Sequence, residues 1–220
     1  MTHSIVAIDG PAASGKSTVS RELARRLGFS YVNSGSLYRA ATWWALRTFG
    51  EVPSSGADLV KSLEEGEFFS GLKNHASVVE VGGMQPGSEL FTEAVNDSVS
   101  AVSALPEVRT LLLEQLRAYV ELDSIVMEGR DIGSVVFPDA KFKFYLDASP
   151  QERERRRAAQ GVEDSIEKRD RIDSTRKAAP LKIAADACVI DSTSLTLHGV
   201  VEEILFRLEQ KGLVVTKAAK

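Results

Sequence analysis

Short apolar runs alternate with amphipathic stretches along most of the chain. Ser4-Ile5-Val6-Ala7-Ile8-Asp9 has the continuous apolar character of a strand buried on both faces. Val19, Leu23, Ala24 and Leu27 then recur at helical spacing among polar residues, and Gly28 suits the left-handed cap that ends a helix. Residues 29–32 predict a second strand, and residues 35–49 a second helix with Ser34 or Ser36 at its cap. Further strands are predicted at Ser124-Ile125-Val126-Met127, at Phe142-Lys143-Phe144-Tyr145-Leu146-Asp147 and at Ala187-Cys188-Val189-Ile190. Helices are predicted between and after them. One opens at Pro106 with Leu112, Leu116, Tyr119 and Val120 inward, and one at Ser149-Pro150 with cap and first-turn proline. The last spans 194–211 with Leu197, Val201, Ile204, Leu205 and Leu208 inward, and Gly212 ends it. This rhythm predicts an α/β fold with a parallel five-stranded sheet flanked by helices.

Residues 50–104 break the rhythm. Pro53, Gly56, Gly66, Gly71, Gly82, Gly83, Pro86 and Gly87 punctuate them. Ser77-Val78-Val79-Glu80-Val81 followed by Gly82-Gly83 reads as a strand and tight turn, and Phe68-Phe69 as part of another strand. A small antiparallel insertion on the core is therefore expected. From Ser88 to Leu105 the period is helical again, with Phe91, Val95, Val99 and Val102 on one stripe and Ser100 and Ser103 beside it.

Composition narrows the picture modestly. The 220 residues suffice for one α/β domain with an insertion, and 43% hydrophobic with 26% charged residues is ordinary for a globular protein. No apolar run approaches a membrane span, and the N-terminus lacks the pattern of a signal peptide, so a cytoplasmic protein is expected. The single cysteine, Cys188, reads as a small buried hydrophobe in its strand. A net charge of −4 argues against a general nucleic-acid binder. Ten of the 27 basic residues nevertheless fall between Arg153 and Lys182, which suits a small anionic ligand or a solvated charged helix. No exposed apolar stripe stands out, so a monomer is expected.

The chemistry starts at Gly10-Pro11-Ala12-Ala13-Ser14-Gly15-Lys16-Ser17, a G-x-x-x-x-G-K-[ST] phosphate-binding loop between a predicted strand and a predicted helix. Backbone N–H groups of such a loop converge on an anion and the helix dipole adds positive potential. Lys16 is placed to reach the β- and γ-phosphates of a nucleoside triphosphate and the Ser17 hydroxyl to bind Mg²⁺, with Thr18 completing the nucleotide-binding stretch. Glu128-Gly129-Arg130-Asp131-Ile132-Gly133 stands at the carboxyl end of a predicted parallel strand, where ligands of open α/β sheets collect. Arg39 lies in the first turns of a helix, a place that suits a cation only if it and the helix end share an anion, or if its side chain is solvated. Arg169, Asp173 and Arg176 are spaced i, i+4, i+7 on one helical face, either as an ion-pair ladder or as forks for phosphate with a carboxylate for a sugar hydroxyl. Arg39, Arg109, Arg130, Arg169 and Arg176 exceed what one triphosphate needs, which points to a second anionic substrate. A phosphate acceptor is already an anionic nucleophile, so phosphoryl transfer to it asks only for positioning and charge neutralisation. A nucleotide switch is disfavoured by the lack of N-K-x-D and D-x-x-G motifs; a related kinase with another acceptor stays open.

These blocks resemble the bacterial cytidylate kinases. Ile8-Asp9-Gly10-Pro11, Ser34-Gly35 with Tyr38-Arg39, the Glu128–Gly133 block with Val135-Val136-Phe137-Pro138, and Arg169-Asp170 with Arg176 and Ala179-Pro180-Leu181 occur in family order from residue 4 to about 208. The resemblance implies a P-loop fold with a CORE (1–49, 104–152 and 178–220), an NMP-binding insertion (50–103) and a short LID with flanking helices (153–177). It implies ATP and Mg²⁺ as donor and cofactor, and CMP and dCMP as acceptors. Ser100, Arg109 and Asp131 would contact the cytosine; Arg39, Arg130 and Arg176 would hold the CMP phosphate with Ser34 nearby; Arg169 and Asp173 would face the ribose. Arg153, Arg156 and Arg157 would lead into the LID, with Arg153 and Arg157 acting with Lys16 and Arg130 in catalysis. Asn33 and Glu128 stand where many members have Asp, and 160–167 is shorter than in many relatives.

Overall fold

The computed structural model describes residues 3–159, 170–171, 174–175 and 180–213. Arg169, Asp173, Arg176 and the short 160–167 segment lie outside the described residues.

Strand β1 (Ile5–Asp9) lies in the interior of the sheet, paired in parallel with β5 (Ile125–Gly129) on one side and β6 (Phe142–Asp147) on the other. β2 (Ser30–Asn33) extends the sheet beyond β5, and β7 (Cys188–Asp191) extends it beyond β6. These are the five parallel strands expected. The hairpin β3 (Phe69–Lys73) and β4 (Ala76–Glu80) does not stand apart from them. β4 joins β2 at Tyr31 and Ala76, giving one seven-stranded sheet in the order β3-β4-β2-β5-β1-β6-β7. Asn74 and His75 both take positive φ at the hairpin turn, and this turn presents the His75 carbonyl to the Tyr31 N–H at 2.9 Å. The Gly82-Gly83 turn is also present, closed by a bridge between Val81 and Met84.

Strand alternation divides the core between the sheet's two faces. Val6, Ile8 and Val126 pack with Val19, Leu23 and Leu27 of α1 (Lys16–Leu27) and Val201, Ile204 and Leu208 of α7 (Leu197–Gln210). Ala7, Ile125 and Met127 face the other way. They pack with α2 (Ser34–Phe49), α3 (Gly56–Glu65), α4 (Glu93–Val102) and α5 (Pro106–Leu122) through Leu37, Leu59, Val99, Leu112 and Leu116. Truncating a side chain such as Leu112, which is fully buried, to alanine costs about 2–5 kcal/mol through lost transfer energy and the cavity left behind. α6 (Pro150–Ala158) starts as its sequence predicts, with Ser149 Oγ accepting from the Glu152 N–H.

Four local expectations are corrected. Ser34 does not cap α2. Asn33 holds the cap position without a side-chain cap bond, and Ser34 Oγ donates instead to the Glu128 carbonyl at 2.7 Å. Phe91 is not on the α4 stripe: it ends a 3₁₀ turn (Gly87–Phe91) and is 57% exposed, because α4 begins only at Glu93. Leu197 sits in the exposed first turn of α7 rather than facing the core. Cys188, expected to be buried, is half-buried on the edge strand β7. Helix α3 is announced by Ser55, whose Oγ accepts from the Asp58 N–H, and by the Leu59–Leu63 spacing.

Two tryptophans tie α2 to residues 50–103. Trp43 Nε1 donates to Glu89 at 2.7 Å. Trp44 Nε1 donates to Ser62, and its ring fills the space where a Cβ on Gly66 or Gly82 would stand.

Candidate active site

The loop after β1 is shaped by two residues in left-handed backbone, Ala13 (φ 57) and Gly15 (φ 93), which turn successive N–H groups inward before α1 begins at Lys16. Gly10 (φ 152) has no room for a side chain: an added Cβ would stand 2.1 Å from the Leu146 carbonyl oxygen of β6. Lys16 is buried and its Nζ donates to the Pro11 carbonyl at 2.6 Å. Burial pushes the Lys16 amine down to about 7, and the nearby Arg130 charge adds to the push.

Asp9, at the end of β1, ties the phosphate loop's strand to the turn after β5. Its two carboxylate oxygens accept from the N–H groups of Ile132 and Gly133, each at 2.8 Å. Burial raises the Asp9 carboxyl to about 6 against the lowering effect of these bonds. The clamp holds the π-helical turn Ile132–Val136 and so aims Arg130 and Asp131.

Clefts open on either side of the phosphate loop. One, of about 390 Å³, is lined by Ser34, Arg39, Ser100, Arg109, Arg130 and Asp131, with Asn33, Tyr38, Asn96, Ser103 and Glu128 among them. The other, of about 560 Å³, is lined by Ser14, Gly15 and Thr18, by Arg155 and Arg156, and by Ser192, Leu195, Leu197 and Val200. Ala13, Lys16, Ser17 and Arg157 line both clefts. The six described residues expected at the acceptor thus converge on one cleft, and that cleft meets the second at the loop lysine.

Within the first cleft, Arg109 Nη2 donates to Asp131, and its guanidinium lies over the Tyr38 ring at 5.6 Å. Arg39 Nη1 donates to Asn96 Oδ1 and to the Leu90 carbonyl, both at 2.8 Å, with its guanidinium over the Phe91 ring. Arg130 Nη1 donates to the Gly10 carbonyl at 3.0 Å, bridging the acceptor side to the phosphate loop. Gly10 and Pro11 line neither cleft; their carbonyls hold Arg130 and Lys16.

Arg153 departs from its expected catalytic contact. It lines neither cleft and bonds instead to the carbonyls of Ala12 and Ala148 and to Asp170, whose other oxygen accepts from the Ala12 N–H. It supports the loop from behind. Arg156 donates to Ser14 O, Ser192 O and Ser192 Oγ and lines the second cleft. Sequence reasoning gave no role to Asn96, to Tyr31, whose OH donates to Glu128 Oε1 at 2.6 Å, or to the Asp9 clamp. Asp9 was visible only as part of the Ile8-Asp9-Gly10-Pro11 block; Asn96 and Tyr31 carry no local signal.

The sequence profile of the cytidylate kinase family matches residues 6–210. A cytidylate kinase of Streptomyces griseus is 41% identical over 216 residues, covering 94% of this chain and 93% of that one. One of Streptococcus pyogenes is 40% identical over 217 residues, covering 93% and 96%. A bifunctional pantoate ligase/cytidylate kinase of a Synechococcus species is 45% identical, covering 94% of this chain and 45% of its own length.

Proposed function

Because this chain belongs to the cytidylate kinase family, we propose that it transfers the γ-phosphoryl group of ATP to CMP and dCMP, forming CDP and dCDP in pyrimidine nucleotide metabolism. The observation that carries this reading is the meeting of the two clefts at Ala13, Lys16, Ser17 and Arg157. A donor triphosphate in one cleft and an acceptor phosphate in the other come together at the loop lysine. There an oxygen of the CMP phosphate bonds to the γ-phosphorus as the bond from that phosphorus to the β–γ bridging oxygen breaks, leaving ADP.

The chain's own groups supply orientation and charge. Residues 10–18 cradle the ATP phosphates, and Lys16 leaves the Pro11 carbonyl to follow the γ-phosphoryl group. Arg39, Arg130 and Arg176 neutralise the CMP phosphate with Ser34 beside them. Ser100, Arg109 and Asp131 read the cytosine, Asp131 by accepting from its exocyclic amine, and Arg169 and Asp173 face the ribose. Arg157 reaches the transferring group from the LID side, and Arg153 acts by supporting the loop. Residues 50–103 serve as the NMP-binding insertion and 153–177 as the LID region.

The Ser17 hydroxyl and the Glu128 carboxylate line the same cleft and are hard oxygen donors, as Mg²⁺ prefers. Ser17 would hold the ion with the nucleotide's phosphates, and Glu128 would accept from its waters. The ion supplies charge neutralisation across the phosphates. Among the described residues no helix is long and apolar enough to cross a membrane. That fits a cytoplasmic enzyme, and we take it to act as a monomer on small-molecule substrates.

A coupled ADP-release assay across CMP, dCMP, UMP, AMP and shikimate tests the reading. CMP and dCMP are expected to be the best acceptors; a different best acceptor overturns it.

A further inference from the structure

The Tyr31 phenol has no part in the reaction outlined above, yet it is buried and bonded to one of that reaction's carboxylates. On β2 it pairs with Val126 of β5, and Glu128 is two residues further along β5 on the same face, so the two side chains are diagonal neighbours across the strands. The OH donates to Glu128 Oε1 at 2.6 Å, which leaves Oε2 for the cleft that Glu128 lines with Lys16 and Ser17. Arg21 lies over the Tyr31 ring at 5.1 Å, and the Tyr31 N–H is held by the His75 carbonyl, so both ring and backbone are fixed.

A glutamate has one more rotatable bond than an aspartate and gives up more rotamer freedom when its carboxylate is held at one point. Tyr31 holds it there. We propose that Tyr31 is a positioning residue that fixes the longer Glu128 carboxylate against the Ser17 side of the site, where the metal–nucleotide complex is read. This rests on the preceding assignment of Mg²⁺ beside Ser17 and Glu128.

The competing role is packing alone, since Tyr31 also belongs to the core with Val6, Ile8 and Val126. Tyr31→Phe keeps the ring and removes only the hydroxyl. Mn²⁺ provides a readout apart from turnover: its affinity for the enzyme loaded with a non-hydrolysable ATP analogue is measured by electron paramagnetic resonance. Tyr31→Phe is expected to weaken Mn²⁺ binding about five- to tenfold, while KM for CMP stays within about twofold. In Glu128→Asp the shorter carboxylate no longer reaches the phenol, so adding Tyr31→Phe should change Mn²⁺ affinity less than about twofold. The proposal is overturned if Tyr31→Phe binds Mn²⁺ like the parent while Glu128→Gln weakens it. It is equally overturned if Tyr31→Phe has the same effect in both backgrounds, which marks a packing role. Should Glu128→Gln leave Mn²⁺ affinity unchanged, the metal assignment itself fails, and the proposal with it.

Discussion

Arg109 and Asp131 face each other in the acceptor cleft with only 10% and 8% of their side chains exposed, and Arg109 Nη2 donates to Asp131 Oδ2. A buried carboxylate is costly unless paired, and the arginine supplies the pair while the other oxygen stays available to a ligand. The charge proposed to read the base is thereby held in place before any ligand arrives.

This pairing predicts base selectivity. A carboxylate accepts from the amine of cytosine and repels the carbonyl that uracil carries there. Asp131→Asn introduces a donor that uracil can use. The expected result is a fall of about 10–100-fold in kcat/KM for CMP and a contraction of at least about tenfold in the CMP-over-UMP preference. Steady-state kinetics with both acceptors measure it, and an unchanged preference would remove Asp131 from base recognition.

Arg130 links the acceptor side to Gly10 and is the largest charge effect on Lys16. Arg130→Ala is expected to lower kcat/KM for CMP by about 10²-fold or more, since a lost charge contact at a transferring phosphate is worth several kcal/mol. A loss under about threefold contradicts its role.

Lys16, depressed to about 7, is mostly neutral at pH 8 in the empty site. A polyphosphate beside it restores the charged form, so ATP binding at pH 8 should take up about one proton. Calorimetry in buffers of different ionisation enthalpy reads this directly. Lys16→Met should abolish the uptake, and a binding enthalpy independent of buffer would refute it.

Asp9 makes a prediction about stability. Its folded-state value of about 6 lies above the ordinary 3.8, so the native state binds the proton more tightly than the unfolded chain does. Stability from this group is therefore greatest below pH 4 and is lost as pH rises towards 6, by roughly 2 kcal/mol between pH 4 and pH 7.5. Asp9→Asn lacks this slope, although it also loses an acceptor for one of the two N–H groups. The difference in unfolding free energy between the two proteins, followed against pH, is expected to narrow across that window; a constant difference would disprove the shift.

The residues that could be read without coordinates are those whose chemistry is local. The phosphate loop, the helix stops and the Glu128–Gly133 turn each carry their signal within a few positions, and the five parallel strands follow from runs of apolar residues. What escaped depends on register. Tyr31 meets Glu128 only because β2 and β5 pair with Tyr31 opposite Val126, and no spacing within either strand reveals that. Asn96 meets Arg39 only because α4 packs on α2. Ser34 looked like a cap because capping is what serine does at a helix start, but the Glu128 carbonyl on the neighbouring strand took its hydroxyl. The partners of Arg153 are equally invisible in the sequence: the Ala12 carbonyl and Asp170 lie far from it along the chain, and no spacing around residue 153 reveals them.

The two indoles on α2 give the protein its own optical reporters. Trp43 and Trp44 are the only tryptophans in the chain. One is bonded to the 3₁₀ turn that carries Glu89, and the other sits over Gly66 and Gly82, so they touch two different parts of residues 50–103. Intrinsic fluorescence, with either indole replaced by phenylalanine, therefore separates the response of these two parts to an acceptor nucleotide without any label.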